Sequence, residues 1–164
     1  ITREHGISWQ FRVWRGSLEQ ELLGAMEADI LALSWLGALH MPRQRPRRQP
    51  GVAVWFDGSP ATERALETAG ALASEPQVPL TVLLCGSDRD SRNALRQRAT
   101  EILPALRPPP EYVALPEADI AAIAHALHNS ASALLVLGRD NRLLQSGSLR
   151  DALRRLGCSL FLVS

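Results

Sequence analysis

The chain has 164 residues, a formal net charge of +1, 46% hydrophobic and 21% charged residues. That size and balance exclude a disordered chain and leave one domain of ordinary size with room for a smaller appendage. A net charge so close to zero gives no global attraction to nucleic acid or to a membrane surface, and no apolar run reaches the length of a spanning helix.

In chain order, the first fifty residues make a short unit. Residues 11–14 read as a strand, 17–28 as a helix capped by Ser17, and 30–35 as a second strand. "MPRQRPRRQP", residues 41–50, is a basic, proline-rich linker, with no aromatic residue to interleave with its arginines as a nucleic-acid surface would need. It reads as a solvated hinge.

From residue 51 apolar runs alternate with amphipathic stretches. Residues 51–56 form a strand, and residues 60–74 a helix with Pro60 in its first turn and Ser59 as N-cap. Residues 80–85 form the next strand, and 90–106 a helix that Pro104 ends or bends near Leu103. Residues 112–115 are a short third strand, 118–129 a helix, and 134–137 a fourth strand closed by Gly138. A helix at 149–156, stopped by Gly157, and a strand at 158–163 complete the series. Continuous apolar strands separated by helices predict a parallel sheet buried on both faces. The expected strand core is Val52, Val54, Val82, Leu84, Leu135, Leu137, Leu160 and Leu162.

Cys85 and Cys158 lie inside apolar runs and read as buried free thiols, which suits a reducing compartment, the cytoplasm. His125 and His128 share a helical face, but no cysteine or carboxylate joins them at metal-ligand spacing, so no metal site is expected. No set of nucleophile, base and acid stands out, and the chain is not expected to be an enzyme, with weak ATP hydrolysis the one activity left open. "FRVWRGSLEQELLGAMEADILALSWLG" and "EYVALPEADIAAIAHALHNSASALLVLG" both read as strand, helix, strand, so one supersecondary unit is used twice.

Residues 51–164 resemble the universal stress protein (UspA-like) family through "VAVWFDGSPATERALETAGALA", "VPLTVLLC", "ALLVLGRD" and "GSLRDALRRLGCSLFLVS". The resemblance implies a five-stranded parallel α/β sheet, order 3-2-1-4-5, with helices on both faces. Residues 1–40 look like the later part of a preceding repeat, a strand-helix-strand remnant. The expected organisation is therefore a partial repeat over 1–40, a linker over 41–50 and a full domain over 51–164, the whole being a piece of a tandem protein.

Many members of that family bind ATP between an Asp that ends the first strand and a glycine motif after the fourth. Carried onto this chain, a nucleotide site would use Asp57, Gly58, Ser59, Gly138, Arg139, Gly147 and Ser148. Glycines permit close backbone approach, and amides with a hydroxyl at a helix N-terminus hold phosphate oxygens. The motif departs from the family pattern, however. Asn141 stands where the middle glycine belongs, and five residues, 142–146, separate it from Gly147 where the family has nine.

The resemblance thus implies a regulatory or interaction module in stress response with degenerate or lost nucleotide binding and no cofactor. The alternative is an ATP- or AMP-binding stress sensor using a shortened phosphate loop. The family uses its fifth strand for pairing, and residues 158–163 carry no charge or proline to blunt an edge. The expected partner is a second copy in a homodimer, or another repeat of the same chain.

Overall fold

The computed structural model describes residues 30–33, 50–75, 77–103, 105–115, 120–141 and 155–164. Among these residues six strands follow one another: β1 (Ile30–Leu33), β2 (Gly51–Phe56), β3 (Leu80–Cys85), β4 (Glu111–Leu115), β5 (Ser132–Gly138) and β6 (Ser159–Val163). Three helices lie among them: α1 (Pro60–Ser74), α2 (Arg89–Ile102) and α3 (Ile120–Ser130). The expected strand 11–14, the helix 17–28 and the linker 41–49 lie outside the described residues.

Helices α1 and α2 each begin where a side chain can satisfy amides that lack a partner in the first turn. The Thr62 amide donates to Ser59 Oγ at 3.4 Å, and Pro60 follows the cap directly, where its missing N–H costs nothing. In α2 the cap is Asp88, whose Oδ1 accepts from the Ser91 amide at 2.7 Å. The helix thus starts one residue before the expected Asp90. It ends at Ile102, near Leu103 as expected, because Leu103, which precedes Pro104, takes an extended conformation.

The strands form one sheet in the order β1-β6-β5-β2-β3-β4. Strands β2 to β6 are parallel throughout, and numbered within the domain their order is the expected 3-2-1-4-5. Alternate residues of each strand serve opposite faces. Val52, Val54, Phe56, Val82 and Leu84 pack with Ala65, Leu66, Ala69 and Ala73 of α1 and with Ala99 of α2. Ala53, Trp55, Leu83, Leu135, Leu137, Leu160 and Leu162 pack with Ile123, Ala126 and Leu127 of α3. All eight expected core residues are buried.

One expectation needs correction. Strand β6 is not an open edge: β1 lies antiparallel against it, pairing Ile30 with Val163 and Leu33 with Leu160. A preceding stretch of the same chain meets the outer backbone groups of β6, which would otherwise template another strand. Among the described residues, the outermost strands of the sheet are β1 and β4.

Leu135 lies at the centre of the sheet with no exposed surface. Leu135→Ala is expected to cost about 2–5 kcal/mol through lost burial and the cavity left behind. Urea unfolding of the parent and the variant measures it, and equal midpoints would contradict the assignment.

Candidate functional site

In a parallel sheet, ligands bind outside the carboxyl ends of the strands, where connections leave in opposite directions. Here that point lies between β2 and β5, since β2 has β3 on one side and β5 on the other. The β2–β3 ladder runs to Phe56↔Leu84, but the β2–β5 ladder ends at Val54↔Val136. The two central strands therefore part before their carboxyl ends. Beyond the gap come Asp57, Gly58 and Ser59 on one side and Gly138, Arg139 and Asn141 on the other.

Asp57 is folded back onto the first turn of α1. Its Oδ1 accepts from the Ser59 amide at 3.0 Å and from the Thr62 hydroxyl at 2.9 Å. The Thr62 hydroxyl also lies 3.2 Å from Ser59 Oγ and 3.0 Å from the Ser59 carbonyl oxygen. Gly58 makes this turn possible: its φ is +81°, and a Cβ there would meet Leu95 Cδ2 at 2.8 Å. Burial pushes the Asp57 pKa upward, but hydrogen bonds from the Ser59 amide and side chain and from Thr62, with the nearby Trp55 indole N–H, outweigh it and hold the carboxyl below its ordinary value. The carboxylate is charged at neutral pH and sits at the positive end of α1.

Gly138 is explained by packing. A Cβ at this position would lie 3.0 Å from the carbonyl carbon and oxygen of Ala61 and 3.1 Å from its Cβ. The end of β5 passes so close to the first turn of α1 that a side chain here would have to push that turn aside by a few tenths of an ångström. Beyond it, the Arg139 amide donates to the Val163 carbonyl at 2.8 Å and the Asn141 amide to the Gly138 carbonyl at 3.1 Å. Asn141, at the place of the family's middle glycine, is buried. Gly147 and Ser148 lie outside the described residues. The structure thus gathers Asp57, Gly58, Ser59, Gly138 and Arg139 around the start of α1.

Two residues of this site were missed in the sequence. Thr62 stands three residues after the N-cap, a spacing that places it on the cap, and this signal was available. Trp55 reads as one more apolar strand residue. It is 3% exposed, and its Nε1 has no hydrogen-bond partner. The indole N–H lies near enough to Asp57 to favour its charged form, without the geometry of a hydrogen bond. A buried donor left unmet costs about 1–3 kcal/mol.

Cys85 ends β3 close to this carboxylate. Burial, and then the charge of Asp57, push its thiol up to about 12. Burial likewise raises Cys158 to about 11, partly offset by a backbone hydrogen bond at Leu135. Both are free thiols and stay protonated at neutral pH, so neither is a ready nucleophile. His125 and His128 are exposed on α3.

The fold is that of the universal stress proteins. A universal stress protein solved in complex with cAMP is similar over 70% of this chain and 97% of its own, at 19% identity and a TM-score of 0.52. A universal stress protein from Archaeoglobus fulgidus is similar over 71% and 95%, at 15% identity and a TM-score of 0.54. A third structure, from the same organism and in complex with dAMP, covers 72% and 100%, at 15% identity and a TM-score of 0.51. No protein-family model matches the chain, and no curated protein matches it at a significant level.

Two outcomes follow from the site. Asp57→Ala is expected to destabilise the protein by about 1–2 kcal/mol at neutral pH through loss of the helix cap contacts. Because the folded carboxyl titrates below 3.8, the wild-type advantage is present above that pH and fades as pH falls through the lower folded value. Denaturant melts of both proteins across acid pH test this, and a pH-independent difference would contradict it. Cys85, held near 12 against an ordinary 9.0, should react with iodoacetamide at pH 8 about 100–1000-fold more slowly than a free thiol.

Proposed function

We propose that the chain is a universal-stress-protein-like regulatory or interaction module in a stress response, with nucleotide binding degenerate or lost. The observation that carries this reading is the β5 exit. Gly138 is consumed by its approach to Ala61, and the next glycine of the family motif is replaced by the buried Asn141. A loop of that kind offers fewer free backbone amides to a phosphate than a glycine-rich one.

The second reading is an ATP- or AMP-binding stress sensor with a shortened loop. It draws on the charged Asp57 beside the start of α1 and on the similar folds solved with cAMP and dAMP. In that case Asp57 would meet the base or ribose, and Gly138, Arg139, Gly147 and Ser148 the phosphates.

The module works without catalysis, in the cytoplasm, where thiols such as Cys85 and Cys158 stay reduced. Of the two pairing arrangements, a homodimer or an intramolecular pairing of repeats, β1 favours the second. It covers the outer edge of β6 that a second copy would use. Ultracentrifugation separates the two, since intramolecular pairing gives a single species at the chain mass of 18.0 kDa.

A thermal melt with ATP and magnesium, or with AMP, on protein stripped of copurified nucleotide decides between module and sensor. The module reading expects an unchanged melting temperature. A rise of about 3 °C or more that Asp57→Ala abolishes would establish the sensor instead.

A further inference from the structure

Where the pairing of β2 with β5 ends, a buried tryptophan follows. Strand β2 runs two residues past its last pairing with β5, and Trp55 is the first of them. At this level the two central strands no longer hold each other, while Trp55 remains paired with Leu83 of β3. Its side chain belongs to the same buried cluster as Leu83, Leu115, Ile123 and Leu137, on the face that α3 covers. The largest side chain of the twenty therefore stands at the point where a sheet of this topology opens a crevice.

The polar end of the indole shows what the residue does there. A buried tryptophan ordinarily finds an acceptor for its N–H, and this one has none. The N–H is directed toward the carboxyl edge, near Asp57, without bonding to it. A position that tolerates an unmet donor is served by the volume and flatness of the ring.

We propose that Trp55 plugs the crevice between β2 and β5, occupying with its own ring the space that a planar heteroaromatic ligand would take beside Asp57. The inference deepens the module reading and rests on it: the site would be closed at its base end by Trp55, in addition to the altered β5 exit at its phosphate end. The excluded ligand is of the purine nucleoside class, a flat ring that reaches the carboxyl edge through its sugar. Leu83 and Leu137 would become walls of the opened space, and Asp57 its rim.

The test uses the full chain with Trp55→Val, which removes the ring, and Trp55→Phe, which keeps a flat apolar ring. Each is melted alone, with adenosine, and with indole. Adenosine carries no phosphate, so the β5 exit does not enter the outcome. The expected result is no response to adenosine in the wild type or in Trp55→Phe. Trp55→Val should melt lower, and saturating adenosine should raise its melting temperature by about 3 °C or more. Adding Asp57→Asn to Trp55→Val should reduce that rise.

A Trp55→Val variant that adenosine leaves unchanged overturns the proposal, whether it is folded or unfolded without ligand. So does a response to indole without one to adenosine, which would mark a closed core cavity and not a plugged crevice. An equal response in Trp55→Phe overturns it as well, because the missing N–H would then matter and not the ring. Failure of the module reading looks different, since there the wild type itself responds to ATP or AMP.

Discussion

Two parallel strands cannot be joined by a tight turn, because each connection must carry the chain back along the sheet. Most of this molecule follows from that constraint. The returning segments include α1, α2 and α3, and they cover both faces, so β2, β3 and β5 are buried on two sides and must be apolar along their length. The same geometry brings every carboxyl end to one edge. Residues distant in sequence, such as Asp57 and Gly138, meet there because their strands are sheet neighbours.

The start of α1 shows how several demands converge on a few atoms. The turn after β2 must reverse direction, cap a helix and clear the end of β5. Gly58 supplies the positive φ, Ser59 the cap, and Asp57 with Thr62 a closed set of hydrogen bonds over the first amides. Gly138 removes the side chain that would strike Ala61. Asp57, Gly58, Ser59 and Gly138 each have a structural reason to be present. Their presence alone is therefore weak support for a ligand, and the residues that discriminate are Asn141 and Trp55.

Strand β1 changes the character of the sheet. An edge of Leu160, Phe161, Leu162 and Val163 would carry unpaired backbone groups beside apolar side chains, a combination that promotes association. Antiparallel pairing with β1 satisfies those groups from within the chain. Among the described residues, the four-residue β1 is then the outermost strand on that side.

The apolar runs were enough to place β2, β3, β5 and β6, and their alternation with helices was enough to define a parallel sheet. Helix α1 was legible to the residue, because its cap and first proline are adjacent in the chain and act locally. The start of α2 was less so, since Ser87, Asp88 and Asp90 all offer capping oxygens and only the folded backbone chooses Asp88. The Asp-Gly-Ser junction announced the capped turn after β2, for the same local reason. What pattern could not show was which surfaces meet. The antiparallel seat of β1 and the approach of Gly138 to Ala61 join segments far apart in the chain, and the burial of Trp55 depends on α3 and on strands distant in sequence. Local propensity and hydrophobic period determined the elements; the packing of one element on another decided which of them meet at the carboxyl edge of the sheet.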